Sequence, residues 1–262
     1  SANAVAAAVR ARLRDSGRRF EMVSVMGGDA AGDGEAKPDY RVEVLLSPAA
    51  EGQINAVFMV HRVADQRSIW SRRYRIGPDD GPDFASLDPA IVQIAGNYGV
   101  IVRDQTIFLA NDYSAGFPCL AQYQRVRIAQ RRDAVEKVAK CVAETVALNP
   151  RDPVGLSASS YMLHHVAARE HNAEKAKELR RKSLAAAEAA YAADPASAHA
   201  AFAQTRAYFT LGRCPAALGL ARRAEDGNPL DADMLSRLAI IYQMCGDGEQ
   251  ASRLSERALS LD

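Results

Sequence analysis

Apolar and polar positions follow two rhythms along this chain, and the change between them divides it. Over residues 4–16, Val5, Val9 and Leu13 recur at helical spacing opposite Arg10, Arg12 and Arg14. That pattern predicts an amphipathic helix, which Gly17 ends. Residues 20–26 read as a strand, and 27–37, rich in Gly, Ala and Asp, as a mobile loop. Tyr40, Val42 and Val44 then alternate with Arg41 and Glu43. After a turn at Glu51-Gly52, Ile54, Ala56, Phe58 and Val60 share one face. Residues 68–76 place Trp70, Tyr74 and Ile76 on one side, which completes an antiparallel meander. Asp88-Pro89 reads as an N-cap with a proline in the first turn, opening a helix with Ile91, Ile94 and Ala95 inward. The expectation is an α+β domain over 1–100, an antiparallel sheet with two helices, and a linker at 101–118.

From about residue 119 to 262 the period is helical throughout. Pro150, Pro195 and Pro229 each follow an Ala-rich helix, in Ala-Leu-Asn-Pro, Ala-Ala-Asp-Pro and Asp-Gly-Asn-Pro. Pro195 and Pro229 lie 34 residues apart, the period of a tetratricopeptide (TPR) unit. At that offset Tyr208 falls on Tyr242, Gly212 on Gly246, Ala217 on Ala251 and Ala224 on Ala258. The small residues allow close helix approach, and the tyrosines fill the space between units. Pro150 to Pro195 is 45 residues, so that unit holds 11 more, placed by its polarity at the run 169–177. A degenerate first unit at about 119–150 caps an all-α, TPR-like solenoid of about four hairpins.

Composition narrows the classes. The formal net charge is +1 with Arg and Lys dispersed, so the basic footprint of a nucleic-acid binder is missing. No apolar run reaches the ~20 residues of a membrane span. The chain begins at Ser1 without a secretory signal, and is read as a piece of something longer, with room for a membrane anchor or catalytic domain upstream.

The stretch Tyr40-Arg-Val-Glu-Val through Ile69-Trp70-Ser-Arg-Arg-Tyr74 resembles the TolB-like N-terminal domain, in the same order of helix, strand, meander and helix. Such a domain followed by TPRs occurs in bacterial winged-helix regulators and class III adenylate cyclases. The segments 95–101 and 140–150 resemble the junction in those proteins. The resemblance implies a non-catalytic regulatory or interaction module of a signalling or transcription-regulating protein. Its alternatives are the C-terminal part of a nucleotide cyclase and a cell-envelope assembly factor.

Candidate chemistry follows from repeat geometry. Positions 2, 5, 9 and 12 of each first helix face the concave groove of a TPR array. They are Val154, Ser157, Tyr161 and His164 in the inserted unit, and His199, Phe202, Arg206 and Phe209 in the next. In the last unit they are Asp233, Ser236, Ile240 and Gln243. Exposed phenylalanine beside arginine and histidine suits a peptide or helix anchor with a polar clamp. The expected partner is therefore a protein or peptide, with no cofactor and an undetermined oligomeric state.

Other motifs are weaker. His164-His165 are helix neighbours about 100° apart, which does not suit chelation of one metal even with Glu170 and His171 near. Asp112-Tyr-Ser114-Ala-Gly116 lacks the first Gly of a nucleophile elbow. The loop 27–34 lacks the Lys-Ser/Thr of a phosphate cradle. Cys119, Cys141, Cys214 and Cys245 are either four buried thiols or two bridges. A turn at 131–133 sets Cys119 level with Cys141, and Cys214 and Cys245 flank consecutive A–B turns. One or both pairs bridged would fit an oxidising compartment, the periplasmic side of a membrane-anchored protein, the cytoplasm being the alternative.

Overall fold

The computed structural model describes residues 2–20, 38–81, 84–129 and 134–261. The strand and loop expected across 21–37 and the turn at 131–133 lie outside them. The chain divides into two compact units, Ser1–Asp104 with Leu259–Asp262, and Gln105–Ala258.

In the first unit, helix α1 (Ala2–Gly17) precedes three strands, β1 (Tyr40–Pro48), β2 (Ile54–Arg62) and β3 (Arg67–Ile76), paired antiparallel in that order. Register follows the hydrophobic alternation, with Val44 opposite Phe58 and Ala56 opposite Tyr74. A one-residue slip would turn these side chains to the other face. Ala56, Phe58 and Val60 are fully buried against Val9 of α1 and Leu87, Ala90 and Ile94. Phe58 and Tyr74 meet edge to face at 5.6 Å. The β1–β2 turn carries Glu51 and Gly52 at φ 57° and 71°, the left-handed region that glycine enters without strain.

Helix α2 (Asp88–Ala95) differs from expectation at its start. Asp88 is its first helical residue rather than the cap, and its carboxylate pairs with Arg12 of α1. The expected linker also contains a helix, α3 (Val100–Phe108). Its two apolar ends, Val100-Ile101-Val102 and Ile107-Phe108, flank Arg103, Asp104 and Gln105 and show no clean stripe.

The helices after α3 form a series of antiparallel hairpins, a TPR-like solenoid: α4 (Phe117–Ala129) with α5 (Val135–Leu148), α6 (Pro153–Ala167) with α7 (Ala173–Ala193), α8 (Ala198–Thr210) with α9 (Cys214–Gly227), and α10 (Ala232–Met244) with α11 (Gly248–Leu261). Side chains cap the starts: Asp152 accepts from Val154 and Gly155 N–H, Asn172 from Lys175, Ser197 from Ala200 and Asp231 from Met234. The helices before Pro150, Pro195 and Pro229 stop at Leu148, Ala193 and Gly227, because proline forces its predecessor out of helical geometry. Gly212 and Gly246 adopt φ 71° and 89° in equivalent A–B turns. Ala217, Ala221 and Ala224 are fully buried where helices approach closely.

The extra residues of the long unit do not form a polar loop at 169–177. Residues 173–177 are the first turn of α7, which runs 21 residues against 14 in α9. Most of the insertion lengthens a helix, since Ala, Glu, Lys and Leu propagate one readily.

Candidate functional site

The positions expected to line the groove lie on α6, α8 and α10, the first helices of their hairpins, and what the structure adds is α4. Tyr123 of α4 meets Tyr161 of α6 edge to face, ring centroids 5.5 Å apart. Arg127 of α4 forms a buried ion pair with Asp233 of α10. Arg237, one turn along α10, donates to the same carboxylate at 2.9 Å. The first hairpin therefore does more than end the array; its leading helix covers part of the face expected to be open.

This corrects the candidate list. Asp233 is buried and held by Arg127 and Arg237, and Tyr161 and Ser157 are buried as well. Phe202 is only 7% exposed, so its ring is packing rather than an exposed anchor. Phe209, Arg206, His164 and Val154 are half-buried. His199, 3.6 Å from Asp231, also lies between exposed and buried. Ser236, Ile240 and Gln243 of α10 stand exposed. Sequence position placed these residues on one face, but nothing in it signalled that residues from 119–129 would return to that face.

Around Tyr161 the electrostatics are unusual. Arg206 lies over the ring, its guanidinium carbon 4.3 Å from the centroid, a cation–π contact. His165 packs 4.4 Å from the same ring, and His164 is 6.0 Å from His165 and nearly perpendicular. Burial, reinforced by the charge of Arg206, lowers both histidines to about 4, so both are neutral at physiological pH. Burial also lowers Arg206 to about 10, with Arg127 and Arg237 pushing the same way. Burial works against the Arg127 charge too, but Asp233 more than restores it and raises its pKa. Burial and then Tyr123 raise the Tyr161 hydroxyl.

A second feature is a groove of about 500 Å³ between α10 and α11, lined by Ser236, Ala239, Ile240, Gln243, Met244 and Ser255 among others. Ile240 is 58% and Met244 68% exposed. One repeat earlier, the residues at the same positions are Phe202, Thr205, Arg206, Phe209, Thr210 and Ala221. There Thr205 and Ala221 are fully buried, and α10 packs against α8 and α9. Burial thus differs at some of these positions, Ala221 being buried and Ser255 exposed, and agrees at others, Thr205 and Ala239 both being buried.

The cysteines are joined as Cys119–Cys141 within the first hairpin and Cys214–Cys245 between consecutive units, with Cα separations of 5.8 and 5.5 Å. Asp112 accepts the Ser114 N–H in a local turn. Among the described residues no group of three or more His, Cys, Asp or Glu is placed to hold a metal. No described helix is long and apolar enough to cross a membrane.

No family model matches the chain, and no curated protein does. Among solved structures it is similar to TTC0263, a thermophilic TPR protein of Thermus thermophilus. That likeness covers 62% of this chain and 81% of that one, at 18% identity and a TM-score of 0.50. The helical unit has a TPR-like fold. MamA is similar over 63% of this chain and 88% of its own, at 13% identity and a TM-score of 0.39. At such identities the likeness concerns fold alone.

Proposed function

We propose that this chain is a non-catalytic regulatory and protein-interaction module of a bacterial signalling or transcription-regulating protein. It takes a helical segment of a protein partner on the open face between α10 and α11. The observation that carries this reading is the groove of about 500 Å³ between these helices, in which Ile240 and Met244 are 58% and 68% exposed. An amphipathic helix with one apolar side suits such a groove. The TolB-like resemblance of the first unit supports a multidomain parent whose output domain responds to the partner. Two disulfides support placing the module on the periplasmic side of a membrane-anchored protein. Four free thiols in the protein isolated without reductant would count against that placement.

The test is partner capture with Ile240→Asn and Met244→Asn. Capture should fall at least about tenfold, the effect of a central apolar anchor, while the folded state is retained. Unchanged capture by both variants would reject the face.

A further inference from the structure

We infer that the Cys214–Cys245 bridge is a thiol–disulfide exchange site for a dithiol, whereas Cys119–Cys141 is closed to exchange in the folded chain. This inference is independent of the docking face and rests on where the two bridges lie. Cys119 and Cys141 are 0% and 2% exposed, inside the first hairpin. Cys214 and Cys245 are half-buried among exposed residues, Gly212, Arg213 and Pro215 at one end and Met244, Gly246 and Gly248 at the other. A Cβ placed at Gly212 or at Gly246 would meet no atom within 4 Å, so both turns border open space. Exchange requires a thiolate to reach one sulfur of the bridge. Of the two bridges, only Cys214–Cys245 offers that access.

The two ends of that bridge are not equivalent. Cys214 is the first residue of α9, the positive end of a 14-residue helix, and follows Arg213. α9 begins without a side-chain cap, unlike α6, α7, α8 and α10, so its leading N–H groups are not taken up by a capping side chain. Both features stabilise a thiolate at Cys214. Cys245 caps the other kind of end, the negative C-terminus of α10, and Asp247 lies two residues beyond. A thiolate there is disfavoured. Cys214 is therefore the leaving group and Cys245 the sulfur attacked, because exchange is faster when the departing thiolate is the more stable one.

The reaction balances with a dithiol alone. One thiolate of the dithiol bonds to Cys245 Sγ, the bridge breaks, and Cys214 departs with the electron pair and takes up a proton. The second thiolate of the dithiol then bonds to the first, and Cys245 departs as a thiolate and is protonated in turn. The dithiol is oxidised to its disulfide, and its two electrons reduce the protein bridge to two thiols. Opening changes what holds α10. Its first turn stays tied to α4 through Asp233 and Arg127. Its last turn loses the link to α9, and α10 touches α8 and α9 more lightly than α8 touches α6 and α7. An ion pair between Arg253 of α11 and Glu225 of α9 persists, but half of the arginine side chain is exposed, and such pairs contribute little.

The test treats the full folded chain with dithiothreitol, quenches with iodoacetamide at intervals and maps the alkylated cysteines by mass spectrometry. Cys214 and Cys245 should be labelled at least about tenfold faster than Cys119 and Cys141, and in urea the two pairs should open at similar rates. Similar rates in the folded chain, or opening of Cys119–Cys141 first, would overturn the site. With the monothiol 2-mercaptoethanol and an early acid quench, the trapped mixed disulfide should sit on Cys245. A mixed disulfide on Cys214 would overturn the direction of attack. After selective opening, amide hydrogen exchange should speed up across residues 240–250 and stay unchanged in α4 and α6. Unchanged exchange across 240–250 would overturn the release of α10.

Discussion

α4 in the first hairpin is turned onto the later repeats, Tyr123 against Tyr161 and Arg127 against Asp233. α10 and α11 in the last hairpin leave Ile240 and Met244 outward. Both hairpins are short and antiparallel, yet α4 of one is held to the later repeats while α10 of the other keeps Ile240 and Met244 exposed. The difference teaches that a repeat specifies which residues share a face, while what covers that face is set by the neighbour. A TPR-like unit buries part of its apolar surface against its neighbours.

That comparison can be broken most severely at Asp233. Asp233→Ala strands Arg127 among buried groups, and loss of one member of such a pair costs about 3–5 kcal/mol. Urea unfolding should show the drop, and the double variant Arg127→Met/Asp233→Leu should recover most of it. A loss below about 1 kcal/mol would mean that α4 is not held to the inner face by this pair.

A smaller effect separates the covered face from the open one. Ala221→Leu forces a larger side chain into a fully buried position of α9 and should cost about 1–3 kcal/mol by overpacking. Ser255→Leu, at the equivalent exposed position of α11, should stay within about 0.5 kcal/mol of wild type. Equal costs in thermal melts would show that the last face is covered after all.

The smallest effect is pH-dependent and concerns the covered region alone. His164 and His165 titrate near 4 in the folded chain, against 6.5 for an ordinary histidine. Between those values the unfolded chain binds the extra protons, so stability falls as pH drops from about 6.5 to 4 and then levels off. After discounting for partial exposure the loss is about 1–2 kcal/mol for the two together. His164→Asn with His165→Asn should flatten the urea midpoint over that range. An unchanged slope would place both rings in free solvent.

Much of the fold was legible because local patterns carried it. Alternation at Ala56, Phe58 and Val60 marked a buried strand face, and the prolines at 150, 195 and 229 marked helix ends. α3 was missed because its apolar residues fall at both ends around a polar centre. Asp88 was read as a cap because its neighbour Pro89 suits a first turn, whereas Arg12, 76 positions away, claims the carboxylate. The candidate site was legible as a set of positions and not as a surface. Phe202 and Asp233 lie where the period puts them, but burial and the reach of Arg127 withdraw them from solvent.

The sequence alone determined the sheet, the helical repeats and the positions that share a face, since period, caps and prolines act within a few residues. Only the tertiary structure decided which of those positions are covered, because Arg127 and Asp233 meet across 106 residues of chain. It likewise withdrew Phe202 from solvent and left Ile240 and Met244 exposed, which no local pattern signals.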